Sequence, residues 1–420
     1  MTSLEVKVDY LARVEGEGGI DVKVVDGRVE DIKVNIFEPP RFFQGFLVGR
    51  KAEEVPDITA RICGICPVSH IMASTQAIED AFGVLPTRQT RDLRTLLTLS
   101  QIIQSHTLHV YMLQLPDYLG YESVIAMAAD HGPAVVRALK MKRVANDFTA
   151  LIGGREIHPV TSVLNGFTRV PTRAELVDTK TRLLSIKEDA FETVKLVTSL
   201  KLPDFVPDAE HVALYDPEEY PFNGRRLRST RGLDIDISEY RRYFKERQVA
   251  HSNTLHSYIE GRGSFLVGPL ARLNINHERL SADGQKALEM TGLKLPCFNP
   301  FAGMLARAVE IVHAIDESVR IIDQMEPKPE PVGAVVPKVG FGCGVSEAPR
   351  GVLYHSYRFD SEGAVSKADI VAPTSHNLFN MEKDLWAFVP QVLGLTQEEA
   401  TLRCEMVIRN YDPCISCSCH

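Results

Sequence analysis

Apolar and polar residues alternate near the start of the chain: Ile20, Val22 and Val24 interleave with Asp21 and Lys23, and Val34 and Ile36 resume the pattern. Period two with Asp26-Gly27 between the runs predicts a hairpin closed by a type I′ turn. From about residue 68 the apolar spacing becomes three and four, which predicts helices over 71–83 and 88–115. The second carries Leu93, Leu96, Leu97, Ile103, Val110 and Leu113 and is expected to stop near Pro116. Residues 133–152, ahead of Gly153-Gly154, and 174–199 also read as helices. So does 300–325, through Leu305, Val309, Val312, Ile315, Val319 and Ile322. Residues 204–232, rich in Pro, Asp and Arg, read as a surface excursion. Strand-like alternation returns over 350–373 around Ser361-Glu362-Gly363, and a last helix is expected over 376–394.

With no internal repeat and no composition break, the expected architecture is α+β, one unit over 1–420. A long-helix bundle (68–200 and 300–325) forms its core. Residues 1–60 are read as mainly β, so peripheral hairpins and sheet come from both chain ends, and 376–420 as a helix leading into a C-terminal segment.

Composition narrows the function classes. The 420 residues are 44% hydrophobic, enough for a sizeable core, and 47 Lys+Arg against 55 Asp+Glu leave a net charge of −8. Such a chain lacks the basic field that holds a phosphate backbone. Arg225, Arg226, Arg228 and Arg231 read as a solvated loop rather than a nucleic-acid patch. No apolar run reaches the ~18 residues of a membrane span, and MTSLEVKVDY lacks the pattern of a signal peptide. A soluble, cytoplasmic protein is expected.

The cysteines carry the chemistry. Arg61-Ile62-Cys63-Gly64-Ile65-Cys66 is followed by His70, and the chain ends Asp412-Pro413-Cys414-Ile415-Ser416-Cys417-Ser418-Cys419-His420. Two Cys-x-x-Cys pairs about 350 residues apart offer four thiolates, which suit a soft or borderline metal. A four-cysteine structural zinc site is one alternative, although zinc ribbons place their knuckles only about 15–20 residues apart. A thioredoxin-like dithiol is another, but it needs one pair, not two.

Taken together, Arg-x-Cys-Gly-x-Cys-x-x-x-His and the terminal Asp-Pro-Cys-x-x-Cys-x-x-His resemble the large subunit of nickel–iron hydrogenases. Arg13-Val14-Glu15-Gly16, Ala348-Pro349-Arg350-Gly351 and Ala372-Pro373-Thr374 extend the resemblance along the whole chain. It implies a nickel–iron centre whose iron carries one carbon monoxide and two cyanides. Cys63 and Cys414 correspond to terminal nickel ligands, Cys66 and Cys417 to bridges. Splitting dihydrogen needs a metal and a nearby base; by resemblance Cys414 is that base and Glu15 relays the proton outward. Arg350 corresponds to a guanidinium over the open face of the metals, oriented by Asp412. Thr374 donates to a cyanide, with Pro349, Ala372 and Pro373 beside the cofactor, and His70 hydrogen-bonds a bridging sulfur. Ending at His420 is what a precursor trimmed by a maturation endopeptidase would show.

Two positions depart from the pattern. Ser105 stands where many members have an aspartate, so Arg350 is expected to lean more on Asp412. Gln44 stands where most have a glutamate ligand for magnesium, which removes one charge and leaves His420, Gln44 and the Ile370 carbonyl to hold magnesium, another ion or only water. Cys419 reads as a buried filler, with a redox-sensitive neighbour as the alternative, and Cys297, Cys343 and Cys404 as inert core residues. His106 and His109 have no carboxylate or thiolate in register to make a metal site. Gly340-Phe341-Gly342-Cys343-Gly344 is too short for a nucleotide loop and reads as a turn.

The resemblance further implies an iron–sulfur small subunit as electron partner. Compact length, Pro40-Arg41-Phe42-Phe43 and Arg409-Asn410-Tyr411 point to the cytosolic multimeric branch, with flavin and iron–sulfur subunits passing electrons to NAD(P), a deazaflavin or ferredoxin. The alternatives are a membrane-bound energy-converting hydrogenase, a quinone-site subunit of a complex I-like assembly, and a non-enzymatic zinc–thiolate protein.

Overall fold

A computed structural model describes residues 3–420. Strands Leu4–Val8, Gly18–Val25 and Arg28–Ile36 pair antiparallel, with Ile20 opposite Val34. Asp26 and Gly27 take φ of 49° and 75°, the left-handed pair that a type I′ turn requires. The alternation buries Ile20, Val22, Val24, Val34 and Ile36 on one face. A second hairpin, Phe244–Val249 with Ser252–Ile259, widens this sheet to five strands through one parallel pairing, Ser252 to Ile36. From Phe43 the chain is already helical, over Phe43–Leu47 and Val55–Ala60, so residues 1–60 are not β to their end.

Helix Pro67–Phe82 starts directly after Cys66, with Pro67 in its first turn where a missing N–H is harmless. Helix Arg88–Leu108 passes through a π-helical turn, His109–Gln114, into a short helix Leu115–Leu119. Pro116 therefore opens a new helix rather than closing the old one. Residues 174–199 divide into Arg173–Leu184 and Lys187–Thr198, with Ser185 closing the first helix and Ile186 preceding the second. These helices pack with Gly132–Gly153 and Gly303–Gln324 around Leu96, Leu97, Phe148, Val309 and Val312.

Residues 204–232 are not a surface excursion. Strand Glu210–Leu214 is buried throughout, and Tyr220 and Phe222 enter the bundle core; the prolines and aspartates mark turns between buried pieces. The arginine cluster is exposed but not a free loop. Arg226 and Arg228 lie on a strand and pair with Asp234, Arg225 with Asp80 and Asp236, and Arg231 with Asp208.

The run from Gly340 is a strand, Gly340–Ala348, not a turn, and it pairs with Gly351–Phe359, which pairs in turn with Val365–Val371. Its glycines let the strand backbone lie on helix Pro67–Phe82. A Cβ at Gly342 would sit 2.1 Å from the Ala77 carbonyl oxygen, and one at Gly344 2.0 Å from that of Ala73. Toward the C-terminus, helix Pro373–Phe388 is followed by helix Gln397–Asn410, which opens on a Thr396–Glu399 capping box. Among the described residues no helix is long and apolar enough to cross a membrane.

Candidate metal centre

Cys63 and Cys66 occupy the turn between helices Val55–Ala60 and Pro67–Phe82, where Cys63 Sγ accepts the N–H groups of Ile65 and Cys66, both at 3.2 Å. Cys414 and Cys417 flank the first turn of the short helix Ile415–Ser418. The two turns meet in the interior. Cys63 and Cys414 sulfurs are 3.5 Å apart, Cys66 and Cys417 3.2 Å, Cys414 and Cys417 3.1 Å. All four are buried, with their sulfurs mutually within 4.8 Å. Contact with Cys417 pushes the Cys414 thiol well up, and burial does the same to Cys417; against burial, hydrogen bonds from the other thiols hold Cys63 down. One pocket does not ionise four thiols unaided. A cation that accepts all four as ligands removes that repulsion, so the donor set fits a thiolate-bound metal centre.

The chain's two ends are laced together at this pocket. Glu15 N–H donates to Pro413 O at 3.3 Å, Ile415 N–H to Glu15 O at 2.9 Å, and the Glu15 carboxylate accepts Ser416 N–H at 3.0 Å. Gly16 has φ 89°, and a Cβ there would lie 2.6 Å from Ile415 Cβ, so no larger residue fits the crossing. Asp117, from the helix bundle, binds both Arg13 and Arg409. Arg41 donates to Ile62 O at 2.7 Å and also to Ser416 O, tying the two cysteine turns to each other.

Arg350 follows the strand Gly340–Ala348 and is 2% exposed. Its Nε donates to Asp412 O and its Nη2 to Asp412 Oδ1, each at 2.8 Å, while Nη1 reaches Ser105 Oγ only at 3.4 Å. Against the penalty of burial, Asp412 and then Cys414 push the guanidinium still further from deprotonation. Thr374 Oγ1 accepts Cys414 N–H at 2.9 Å, which leaves its own hydroxyl proton to donate. Ala372 caps the helix that Pro373 begins, and Pro349 O accepts Arg272 at 3.2 Å.

His70 lies in the first turn of the helix after Cys66. Its Nδ1 is 3.2 Å from His355 Nε2, whose ring continues to Tyr357 OH at 2.6 Å. Burial keeps His70 neutral, with a pKa of about 3. Its Nε2 and Asp412 Oδ2 have no partner among the described residues. At the C-terminus His420 Nδ1 is 2.7 Å from Cys417 O, while Nε2 is 2.9 Å from Ile370 O and 3.1 Å from the Gln44 side-chain amide.

The remaining cysteines stand apart. Cys419 is buried with its sulfur 3.0 Å from Thr254 Oγ1, and burial lifts its pKa to about 11. Cys343 and Cys404 are buried, whereas Cys297 is only half-buried. His106 does have a carboxylate partner, Glu310 Oε2 at 2.7 Å from helix Gly303–Gln324; that contact belongs to an ion-pair network. His109 contacts Arg409 O. Sequence reading missed His355, Tyr357, Arg272 and the clamp made by Arg41. Period-two spacing puts His355 and Tyr357 on one strand face, but nothing local shows that His70 lies opposite.

Two turns of paired cysteines converging on one buried pocket define a thiolate metal centre, and comparison with known proteins identifies its kind. A family model described as nickel-dependent hydrogenase matches residues 41–135 and 261–420. Sulfhydrogenase 1 subunit alpha of Pyrococcus furiosus is 35% identical over 421 residues, covering 99% of this chain and 98% of that one. Sulfhydrogenase 2 subunit alpha of the same organism is 34% identical, with the same coverage. The structure of an NAD+-reducing nickel–iron hydrogenase in the H2-reduced state superposes with a TM-score of 0.86, at 25% identity over 99% of both chains. A nickel–iron–selenium hydrogenase from Desulfomicrobium baculatum, 24% identical, shares the fold over 99% of this chain and 100% of that one, with a TM-score of 0.82. The chain belongs to the nickel-dependent hydrogenase family, and it is the large catalytic subunit of an oxidoreductase acting on dihydrogen.

Proposed function

We propose that the four cysteines hold a nickel–iron centre with one carbon monoxide and two cyanides on iron. In this reading Cys63 and Cys414 are terminal on nickel, and Cys66 and Cys417 bridge the two metals. The convergence of all four sulfurs within 4.8 Å of one another supports a single shared centre, and the resemblance supplies the division into terminal and bridging pairs. When bound, that centre polarises dihydrogen and takes up its two electrons. Cys414 Sγ would accept the two protons in turn, and Glu15, paired to the Cys414 backbone, would carry each toward solvent. Arg350, fixed on Asp412, keeps one donor, Nη1, with only a long contact, and so supplies a permanent positive charge to the open side of the metals. His70 keeps Nε2 free for a sulfur, with His355 and Tyr357 setting its orientation. Thr374 keeps its hydroxyl proton for a cyanide nitrogen, beside Pro349, Ala372 and Pro373.

A magnesium-type cation at His420 follows from proton counting. Burial holds the His420 ring neutral, so it has one N–H, yet carbonyl oxygens face both nitrogens. A cation beside Nε2, shared with Ile370 O and with Gln44 turned to present its amide oxygen, resolves the mismatch.

The three cysteines outside the paired motifs and the C-terminal turn, Cys297, Cys343 and Cys404, join no group of metal-ligating side chains among the described residues and are too few for an iron–sulfur relay. Electrons therefore leave through an iron–sulfur small subunit. The likeness to the sulfhydrogenase alpha subunits and to an NAD+-reducing enzyme supports onward transfer through flavin and iron–sulfur subunits to NAD(P) or a similar soluble carrier. A maturation endopeptidase acting on a longer precursor, and residence in the cytoplasm, belong to the same reading.

The observation that carries it is the convergence of four buried sulfurs from opposite ends of the chain. Elemental analysis of the complex, purified natively without air, tests it. Nickel near one per large subunit, with iron in excess, is expected. Zinc alone, from cells able to build nickel sites, refutes it.

A further inference from the structure

A second group of metal-ligating side chains converges away from the cysteines. His251 sits in the turn of the hairpin Phe244–Val249/Ser252–Ile259, His256 on its second strand, and Glu382 on helix Pro373–Phe388. His251 Nε2 is 2.6 Å from Glu382 Oε1, and His256 Nδ1 is 3.8 Å from Glu382 Oε2. One ligand atom from each of the three lies within 4.8 Å of the other two. His256 is 0% exposed, and among the described residues neither of its ring nitrogens has a hydrogen-bond partner. A buried imidazole with two idle nitrogens beside a carboxylate is costly unless something binds it. Burial, then the neighbouring His251, keeps that ring unprotonated with a pKa of about 3, so its lone pair is available.

We infer that His251 Nε2, His256 Nδ1 and Glu382 Oε2 form a site for one zinc-class divalent cation, with water as fourth ligand. Two imidazoles and one carboxylate are a donor set that zinc favours. Ligands about 2.0–2.2 Å from zinc stand roughly 3.3 Å apart in a tetrahedron, so the 3.8 Å between His256 Nδ1 and Glu382 Oε2 closes slightly. Glu382 Oε1 keeps the Val34 N–H, which it accepts at 3.1 Å. His251 is 20% exposed, which admits the water. The cation staples the second hairpin to helix Pro373–Phe388, whose Glu382 also holds Val34 of the first hairpin, at the place where the two hairpins share only the Ser252–Ile36 pairing. The same strand carries Thr254, whose hydroxyl donates to Ser418 at 3.2 Å, so the staple also braces the turn that bears Cys417.

The test compares wild type, His256→Ala and Glu382→Gln in the natively purified complex, before and after dialysis against a chelator. Wild type is expected to hold about one zinc per chain more than either variant. It should rebind Co2+ with visible absorption bands that both variants lack, and lose several degrees of thermal midpoint on chelation while the variants do not shift. Equal zinc contents and equal chelation shifts in all three overturn the inference. His251→Gln, at a part-exposed position, gives the same reading if His256→Ala does not fold. Cys414→Ala is expected to keep this zinc, which separates failure here from failure of the hydrogenase reading.

Discussion

Arg272, on helix Pro269–Asn276, and Arg350, on the turn whose Ala348 and Pro349 carbonyls Arg272 holds, are both buried guanidiniums, and their surroundings are built differently. Arg272 donates to Glu310 at 2.7 and 2.6 Å, to Glu347 at 2.9 Å, and to the carbonyls of Ala348 and Pro349. Its carboxylates are closed off in turn: Glu310 by Tyr220 and His106, Glu347 by Leu214 N–H. Around Arg350 the network stops short, leaving a 3.4 Å contact to Ser105, an unpartnered Asp412 Oδ2 and an unpartnered His70 Nε2. Buried polar groups that satisfy one another form a frame. Buried polar groups left open mark the place where something else completes them. Arg272 is thus a positioning residue for the turn that delivers Arg350.

Breaking the open side has the largest expected effect. Cys414→Ala should reduce hydrogen-dependent dye reduction to background, and turnover at the wild-type rate would refute the assigned centre. Glu15→Gln should retain nickel and iron while slowing hydrogen-isotope exchange by roughly 10²–10⁴-fold; a normal exchange rate would move the relay elsewhere. The closed side responds in stability instead. Arg272→Met strands two buried carboxylates and should destabilise the chain by about 3–5 kcal/mol, read by denaturant unfolding. A double variant that also replaces Glu310 with Leu should recover part of that loss.

The remaining effect is with pH. Burial holds His70, His109, His211 and His376 at pKa values of about 3, and His106, despite Glu310, at about 4. Because an unfolded histidine titrates near 6.5, the unfolded chain binds more protons between those limits. The stability these rings contribute is complete above about 6.5 and falls as pH drops toward 3. The unfolding free energy read by denaturant should therefore fall between pH 7 and pH 5, by up to about 1.4 kcal/mol per pH unit for each ring. A flat profile would mean that the rings titrate in the fold as they do in the unfolded chain.

Signals confined to a few neighbouring residues were legible in the sequence. Asp26-Gly27 specified its turn, and the paired cysteines announced a thiolate site. What sequence reading missed depends on contacts between distant segments. The glycines from Gly340 look like a turn until helix Pro67–Phe82 is laid against them. The prolines and aspartates of 204–232 hide a strand that only its neighbours make internal. His106 gains its carboxylate from a residue 204 positions away, and Arg41 clamps two turns that no local pattern places together. Helix Gln397–Asn410 went unread although Thr396 and Glu399 carry a capping box, a signal that was present.

The glycine strand has a mechanical consequence. Helix Pro67–Phe82 begins at Cys66, and strand Gly340–Ala348 ends two residues before Arg350. Between them, at Gly342 and Gly344, lies no layer of side chains that could compress or change rotamer, only backbone against backbone. The sulfur of Cys66 and the guanidinium of Arg350 are therefore mounted on a single stiff body, with no hinge between them. A change at Gly342 or Gly344 would therefore shift the one relative to the other without touching either.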